Sequence, residues 1–227
     1  MLNDFLSLFY PRLCLACGHA LQPTREMICV QCDFKMPKTN FHENADNPIT
    51  QKFWGRVDVQ FAASMFLFRK GNPVQHLIHQ LKYRSHPEVG VELGKKYGKT
   101  LAESLFFSDV DLIVPVPLHP NKLRKRGYNQ SAMFADGLAE GMQRKNDNDF
   151  LTRYTASESQ THKTRMERMN VIEGMFDLED VQTAEGKHIL LVDDVLTTGA
   201  TLEGCATQLL QIPNVRVSIA TIAIAGH

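Results

Sequence analysis

Short apolar runs alternate with amphipathic stretches along most of this chain. The segments 110–118, 187–195 and 215–225 are nearly continuous apolar runs, which favour buried strands. The segments 73–83 and 129–145 place apolar residues at helical spacing. Alternation of buried strands with helices predicts an α/β fold whose mostly parallel sheet is flanked by helices on both faces.

The N-terminal part of the chain follows another pattern, dominated by cysteine. Two CxxC pairs, "CLAC" and "CVQC", are separated by eleven residues. In a reducing compartment such pairs indicate a metal site before they indicate disulfides, and four thiolates at this spacing suit tetrahedral zinc. The alternative is a set of four unrelated small buried residues. The four predicted ligands are Cys14, Cys17, Cys29 and Cys32.

Two domains follow from these patterns. Residues 1–45 are predicted to form a small zinc ribbon, which is too short to bury enough surface to fold without a metal. Residues 55–227 are predicted to form the α/β domain. Residues 41–55, which include the polar "HENADNP", are typical of a linker or loop.

Composition and charge narrow the classes of protein. The chain has 227 residues, 43% hydrophobic and 22% charged, with a formal net charge of +0. No global field therefore attracts it to nucleic acid or membrane, so any basic patch is local. The sequence has neither a recognisable signal peptide nor an apolar run long enough to span a bilayer. We expect a cytoplasmic protein without membrane insertion.

The segment "HILLVDDVLTTGATLEG" carries the strongest chemical signal. Asp193 and Asp194 follow the apolar run 188–192, at the carboxyl end of a predicted strand, where ligands bind in open α/β sheets. The next residues, "TTGAT", lead into a helix whose N-terminal N–H groups suit a phosphate. The pattern predicts a sugar phosphate site in which the carboxylates accept hydrogen bonds from hydroxyls or act near Mg²⁺. The alternative is an ordinary helix cap preceded by a turn.

This segment resembles the phosphoribosyl pyrophosphate (PRPP) signature of type I phosphoribosyltransferases. The resemblance implies that Asp193 and Asp194 lie at the catalytic centre and hold the ribose hydroxyls. Because neighbouring strand residues point to different sides, we expect a ribose grip and not an acid–base pair sharing one proton. The resemblance assigns the 5′-phosphate to the following loop, namely Thr197, Thr198, Gly199, Ala200 and Thr201.

A second segment, "VPVPLHPNKLRKRGYNQSAMFA", places several basic residues after a predicted strand. Arg124, Arg126 and Gly127 lie in this basic loop, which suits a pyrophosphate, whereas a solvated basic loop is the alternative. The segment is similar to the ComF (competence protein F) family, which is built on the phosphoribosyltransferase fold. "LIHQLKY", residues 77–83, also resembles that family, and the resemblance spans nearly the whole chain.

The polar segment 157–169 is the candidate for a mobile loop. In phosphoribosyltransferases such a loop closes over the reacting centre and excludes water. Its candidate residues are Gln160, Arg165 and Arg168. The sequence departs from the family pattern at Thr155 and Ser157. The alternative is a surface loop without a role in catalysis.

Two functional hypotheses follow from the resemblance. The first is a phosphoribosyltransferase-like protein of natural transformation that uses PRPP, Mg²⁺ and structural Zn²⁺. It would handle internalised single-stranded DNA in the cytoplasm and would release pyrophosphate if it is active. The second is a non-catalytic module that binds PRPP or a nucleotide and acts through DNA and other competence proteins, such as a helicase. The zinc ribbon is either structural or in contact with nucleic acid, and the acceptor of a transferred group is not specified.

Overall fold

The computed structural model describes residues 11–22, 27–154 and 176–225. Its strands are β1 Ala62–Phe68, β2 Leu112–Pro115, β3 Lys145–Asn146, β4 Leu151–Arg153, β5 Phe176–Leu178, β6 His188–Leu196 and β7 Arg216–Ala225. Its helices are α1 Val30–Lys35, α2 Pro48–Gln51, α3 Pro73–Tyr83, α4 Glu88–Ala102, α5 Pro120–Arg126, α6 Gln130–Met142 and α7 Ala200–Leu209. Short 3₁₀ turns span Phe41–Glu43 and Val181–Ala184. None of the helices in these ranges is long and apolar enough to cross a bilayer.

The main sheet has five strands in the order β1-β7-β6-β2-β3. Every neighbouring pair in it is parallel, whereas β4 and β5 form a separate antiparallel pair. The predicted α/β architecture with a mostly parallel sheet is confirmed. As expected for a proline near a central ladder, Pro115 is the last residue of β2.

Strand β6 shows how the sheet separates two apolar layers. Leu190 and Val192 face the layer that contains the buried residues of α3, α4 and α6. Ile189 and Leu191 face the opposite layer, which contains α7 and the segment around α2. This period of two, with both faces covered, explains why the sequence has a continuous apolar run at this point.

The stretch 41–55 was predicted to be a linker or loop, but much of it packs against the sheet. Asn47 is buried, accepts from the N–H groups of Ile49 and Thr50, and donates through Nδ2 to the carbonyl oxygen of Ala62 at 2.9 Å. Phe53 is fully buried, whereas the neighbouring tryptophan, Trp54, is 60% exposed. The predicted domain boundaries at residues 45 and 55 stay predictions.

Helices α4 and α6 approach each other so closely that their backbones touch along a seam of glycines. The seam consists of Gly90, Gly94 and Gly98 on α4, with Gly137 and Gly141 on α6. A β-carbon added at Gly98 would lie 2.7 Å from the carbonyl oxygen of Leu138. Glycines disfavour helix by propensity, but at these positions they permit an approach that no larger residue allows.

The glycine seam gives a direct test of the packing. We expect Gly98→Ala to destabilise the protein by about 2 kcal/mol, because the clash with backbone outweighs the higher helix propensity of alanine. Equilibrium unfolding in urea measures this difference. The control, Lys99→Ala, changes the adjacent exposed position and should alter stability little. A stabilised Gly98→Ala variant would contradict the close approach.

Candidate functional site

The two aspartates lie within β6, not after it, because the strand extends through Leu196. Asp193 is half-buried and accepts a hydrogen bond through Oδ1 from Ser131 Oγ of α6 at 2.7 Å. Asp194 is 3% exposed and forms an ion pair with Lys82 of α3. The carboxylates therefore interact with different helices, in agreement with the expectation that they do not share one proton.

The environment of Asp193 disfavours its charged form. Burial and, secondly, the neighbouring carboxylate of Asp194 raise the pKa of Asp193 to about 7, although hydrogen bonds from Ser131 and from the N–H of Asp194 oppose the shift. A carboxylate held near another in a partly dehydrated position is unfavourable for stability. Such arrangements are typical of sites that bind hydroxyl or cationic ligands.

The ion pair of Asp194 brings a lysine to this edge of the sheet. Lys82 Nζ lies 2.9 Å from Asp194 Oδ2, and the two side chains are 23% and 4% exposed. Lys82 stands in the last turn of α3, which the hydroxyl of Tyr128 ties down by donating to the carbonyl oxygen of Leu81. The backbone that carries the Lys82 side chain is thus held by both the helix end and the loop after α5.

The residues "TTGAT" form the turn from β6 into α7, as the sequence indicated. Gly199 is the N-cap of α7 and has φ +84°, a conformation that other residues rarely adopt. A β-carbon there would also come 3.3 Å from the ring of Phe53. The flanking residues of the turn are exposed and free to face a ligand, namely Thr197, Thr198, Ala200 and Thr201.

The segment after α2 supports this turn from outside. The guanidinium of Arg56 donates to the carbonyl oxygen of Thr198 at 3.2 Å and pairs with Glu203 of α7. Phe53 packs beneath Gly199. Phe53, in the stretch predicted to be a linker or loop, and Arg56, just beyond that stretch, therefore both contact the turn.

The predicted basic loop is a short helix, α5, which ends at Gly127 with φ +87°. Arg124 is exposed and donates to Asn121 Oδ1 at 3.0 Å. Arg126 donates to Gln130 and lies over the ring of Tyr83, 5.8 Å from its centroid. A cavity of about 330 Å³ adjoins α5. It is lined by Lys82, Tyr83, Ser85, Lys122, Lys125 and Arg126.

The loop after α5 closes back onto the sheet edge. Asn129 Nδ2 donates to the carbonyl oxygen of Val116 at 3.0 Å, and its Oδ1 caps α6 by accepting from the N–H of Ser131. The same Ser131 then donates to Asp193. One short chain of hydrogen bonds therefore connects the end of β2, the start of α6 and the carboxylates of β6.

The four cysteines predicted as metal ligands come together. Their sulfur atoms all lie within 4.8 Å of one another, and the sulfurs of Cys17 and Cys29 are 3.8 Å apart. Tetrahedral zinc with Zn–S bonds of about 2.3 Å separates its sulfurs by about 3.8 Å, so the cluster fits that ion. Burial acts against ionisation of Cys14, but donors led by the Cys29 N–H outweigh it and lower the pKa of Cys14 to about 7. Cys32 is the fourth member of the cluster.

Sequence reasoning missed several residues of this region. Lys82 belongs to the "LKY" segment and Ser131 follows "GYNQ", so the family resemblance contained a signal for both. Phe53 and Arg56 carry no such signal, since their role depends on a tertiary contact. The expected loop residues Gln160, Arg165 and Arg168 lie outside the described residues.

Part of this chain matches a known family, and known proteins are similar to it in sequence. Residues 129–227 match the model of the phosphoribosyl transferase domain. DNA utilization protein YhgH of Escherichia coli K12 is 27% identical over 210 residues, which cover 91% of this chain and 87% of that protein. Competence protein ComFC of Bacillus subtilis is 29% identical over 138 residues, 61% of this chain and 54% of that protein. The chain is thus similar to ComF-like proteins, and its C-terminal part matches the phosphoribosyl transferase domain.

Two solved structures match this chain at low TM-score. Adenine phosphoribosyltransferase from Saccharomyces cerevisiae has a TM-score of 0.40 and 16% identity, covering 63% of this chain and 72% of its own. Glutamine PRPP amidotransferase from B. subtilis has a TM-score of 0.41 and 22% identity, covering 62% and 30%.

The raised pKa of Asp193 predicts a measurable effect on stability. Above the ordinary value of 3.8, the folded protein retains a proton that the unfolded chain releases, so stability falls between about pH 4 and pH 7. Asp193→Asn keeps the Oδ1 acceptor but cannot ionise. We expect it to stabilise the protein at pH 8 by about 1.4 kcal/mol or more, the equivalent of one pKa unit.

Thermal unfolding from pH 4 to pH 8 measures this effect. The gain for Asp193→Asn should grow with pH and level off above about pH 7. The control, Asp58→Asn, removes an exposed carboxylate and should show no such growth. A loss of stability at pH 8 in Asp193→Asn would show that the charged carboxylate is favourable in the fold.

Proposed function

We propose that the protein binds PRPP with Mg²⁺ at the carboxyl edge of the sheet. The observation that carries this proposal is that β6 brings two carboxylates and the N-terminal turn of α7 to one edge, beside a cavity rich in cations. The 5′-phosphate would bind the turn 197–201, and the ribose hydroxyls would bind Asp193 and Asp194. The pyrophosphate would bind near α5, where Arg126 lines the cavity and Arg124 lies outside its lining.

These residues can support phosphoribosyl transfer. The bond from the ribose anomeric carbon to pyrophosphate would break with its electron pair leaving on oxygen, while a bond to the acceptor forms and the acceptor releases a proton. Mg²⁺ bound with the substrate would neutralise the leaving group. The carboxylates would orient the ribose, and the cations beside α5 would stabilise the departing charge.

Relatives support a setting in natural transformation for this chemistry. One relative is a DNA utilization protein and another a competence protein. We propose that the chain acts in the cytoplasm on internalised single-stranded DNA, with other competence proteins such as a helicase as partners. A non-catalytic module that binds PRPP or a nucleotide is the alternative form of this proposal, because the same pocket can serve as a sensor.

Binding and turnover separate these alternatives. We expect PRPP with Mg²⁺ to bind the wild-type protein in calorimetry, and Asp194→Asn to weaken binding about tenfold or more, since a charged acceptor is lost. Pyrophosphate release with candidate bases or single-stranded DNA would establish the enzyme. Binding without release would favour the module.

The control and the contradicting outcome are clear. Asp58→Asn removes an exposed carboxylate outside the proposed site and should bind PRPP as the wild type does. Absence of PRPP binding by the folded wild-type protein, shown by its ordinary thermal transition, would exclude both the enzyme and the PRPP-binding module.

We also propose that the four-cysteine cluster binds one structural Zn²⁺. The sulfur atoms of the cluster lie within 4.8 Å of one another, a spacing that matches the ion. Purified protein should contain about one zinc per chain, and removal by a chelator should lower the melting temperature. Cys14→Ser should lose the metal.

A matched variant makes the zinc measurement specific. Cys205→Ala removes a thiol that is buried in α7, away from the cluster, and it should retain zinc. Full zinc content in Cys14→Ser, measured by elemental analysis, would contradict the assignment.

A further inference from the structure

Lys82 occupies a position between two parts of the proposed site. Its ammonium pairs with Asp194, and the same residue lines the cavity beside α5. Apart from that ammonium, Asp194 Oδ2 has no polar partner within residues 11–22, 27–154 and 176–225. Whether the Asp194 carboxylate is paired therefore depends on the position of the Lys82 side chain.

The other positive charges of the cavity favour the pairing of the Lys82 ammonium with Asp194. Among the described residues that line the cavity there are four cations and no carboxylate. Like charges around one cavity repel one another, so without an anion in the cavity the pairing of Lys82 with its carboxylate is favoured. An anion of high charge bound in the cavity reverses that balance, because it attracts all four cations at once.

The anchoring of Lys82 allows such a change without moving its helix. The end of α3 is fixed by the hydrogen bond from Tyr128 to Leu81, and Tyr83 lies beneath the guanidinium of Arg126. A lysine has four carbons between its backbone and its charge, so its ammonium can shift while the backbone remains in place.

From this geometry we infer that Lys82 couples the two halves of the ligand. When a diphosphate occupies the cavity, the Lys82 ammonium moves away from Asp194 to contact it. The freed Asp194 carboxylate then accepts hydrogen bonds from the sugar hydroxyls. The inference rests on the proposed PRPP site and gives Lys82 a specific role in it. A ligand with a diphosphate and a sugar diol gains from both contacts. A sugar phosphate without the diphosphate has to compete with Lys82 for Asp194.

The inference predicts that the two fragments of the ligand increase each other's affinity, whereas charge repulsion alone predicts that they decrease it. Ribose 5-phosphate and inorganic pyrophosphate are both anions, and at neighbouring positions they should oppose each other. If Lys82 acts as inferred, pyrophosphate instead increases the affinity for ribose 5-phosphate, by about fivefold or more. Calorimetric titrations of the wild-type protein, with and without pyrophosphate and at fixed Mg²⁺, measure this factor, and a repeat without Mg²⁺ separates it from bridging by the metal.

Two variants assign the effect to this lysine. Lys82→Gln keeps a hydrogen-bond donor near Asp194 but removes the charge, and it should abolish the positive coupling. Lys125→Ala removes another cation of the cavity; it should weaken pyrophosphate binding yet keep the coupling positive. Thermal unfolding confirms that each variant is folded, and the wild-type titration stands by itself if Lys82→Gln is not.

The outcomes distinguish this inference from the function on which it rests. Wild-type protein that binds PRPP but shows independent or antagonistic binding of the two fragments would overturn the inference alone. Coupling that persists in Lys82→Gln would overturn it as well. Wild-type protein that binds no PRPP would overturn the proposed function and this inference together.

Discussion

The close approach of α4 and α6 is the constraint on which the rest of this molecule depends. Five glycines line the contact between the two helices, so the backbones approach each other closely along this seam. The helix pair covers one face of the sheet and fixes the start of α6 against the end of β2 and the middle of β6. Ser131 reaches Asp193 only because α6 lies at this depth.

Electrostatic cost is concentrated where chemistry is proposed. Two adjacent carboxylates share one strand, one with a raised pKa and the other buried against a single ammonium. Four cations line the neighbouring cavity. In the absence of a ligand, both groups are worse placed than on the surface, and a ligand that carries hydroxyls at one end and phosphates at the other would relieve both. Such local conflicts are expected at functional sites and uncommon elsewhere in a fold.

The sequence was informative where the pattern is local. Apolar periodicity predicted the parallel sheet, and the cysteine spacing predicted the cluster, because both depend on residues near each other in the chain. It failed where tertiary packing overrides composition. The polar stretch around Asn47 looks like a linker because its apolar anchors, Ile49 and Phe53, are few, and Trp54 is exposed although it is the larger side chain. The pairing of Lys82 with Asp194 spans over a hundred residues of sequence, so no periodicity could indicate it.

The contact of Phe53 with Gly199 has a consequence for how this architecture can be divided. The turn 197–201 belongs to the C-terminal third of the chain, yet its support comes from a residue that precedes the first strand of the sheet. A shortened protein that begins at β1 would keep every strand and every motif residue of the turn but would lose Phe53, which packs beneath the turn. The part of the chain that can form the proposed site by itself is therefore longer than the segment that carries the signature. A chimera between relatives has to exchange the segment around Asn47 together with the turn.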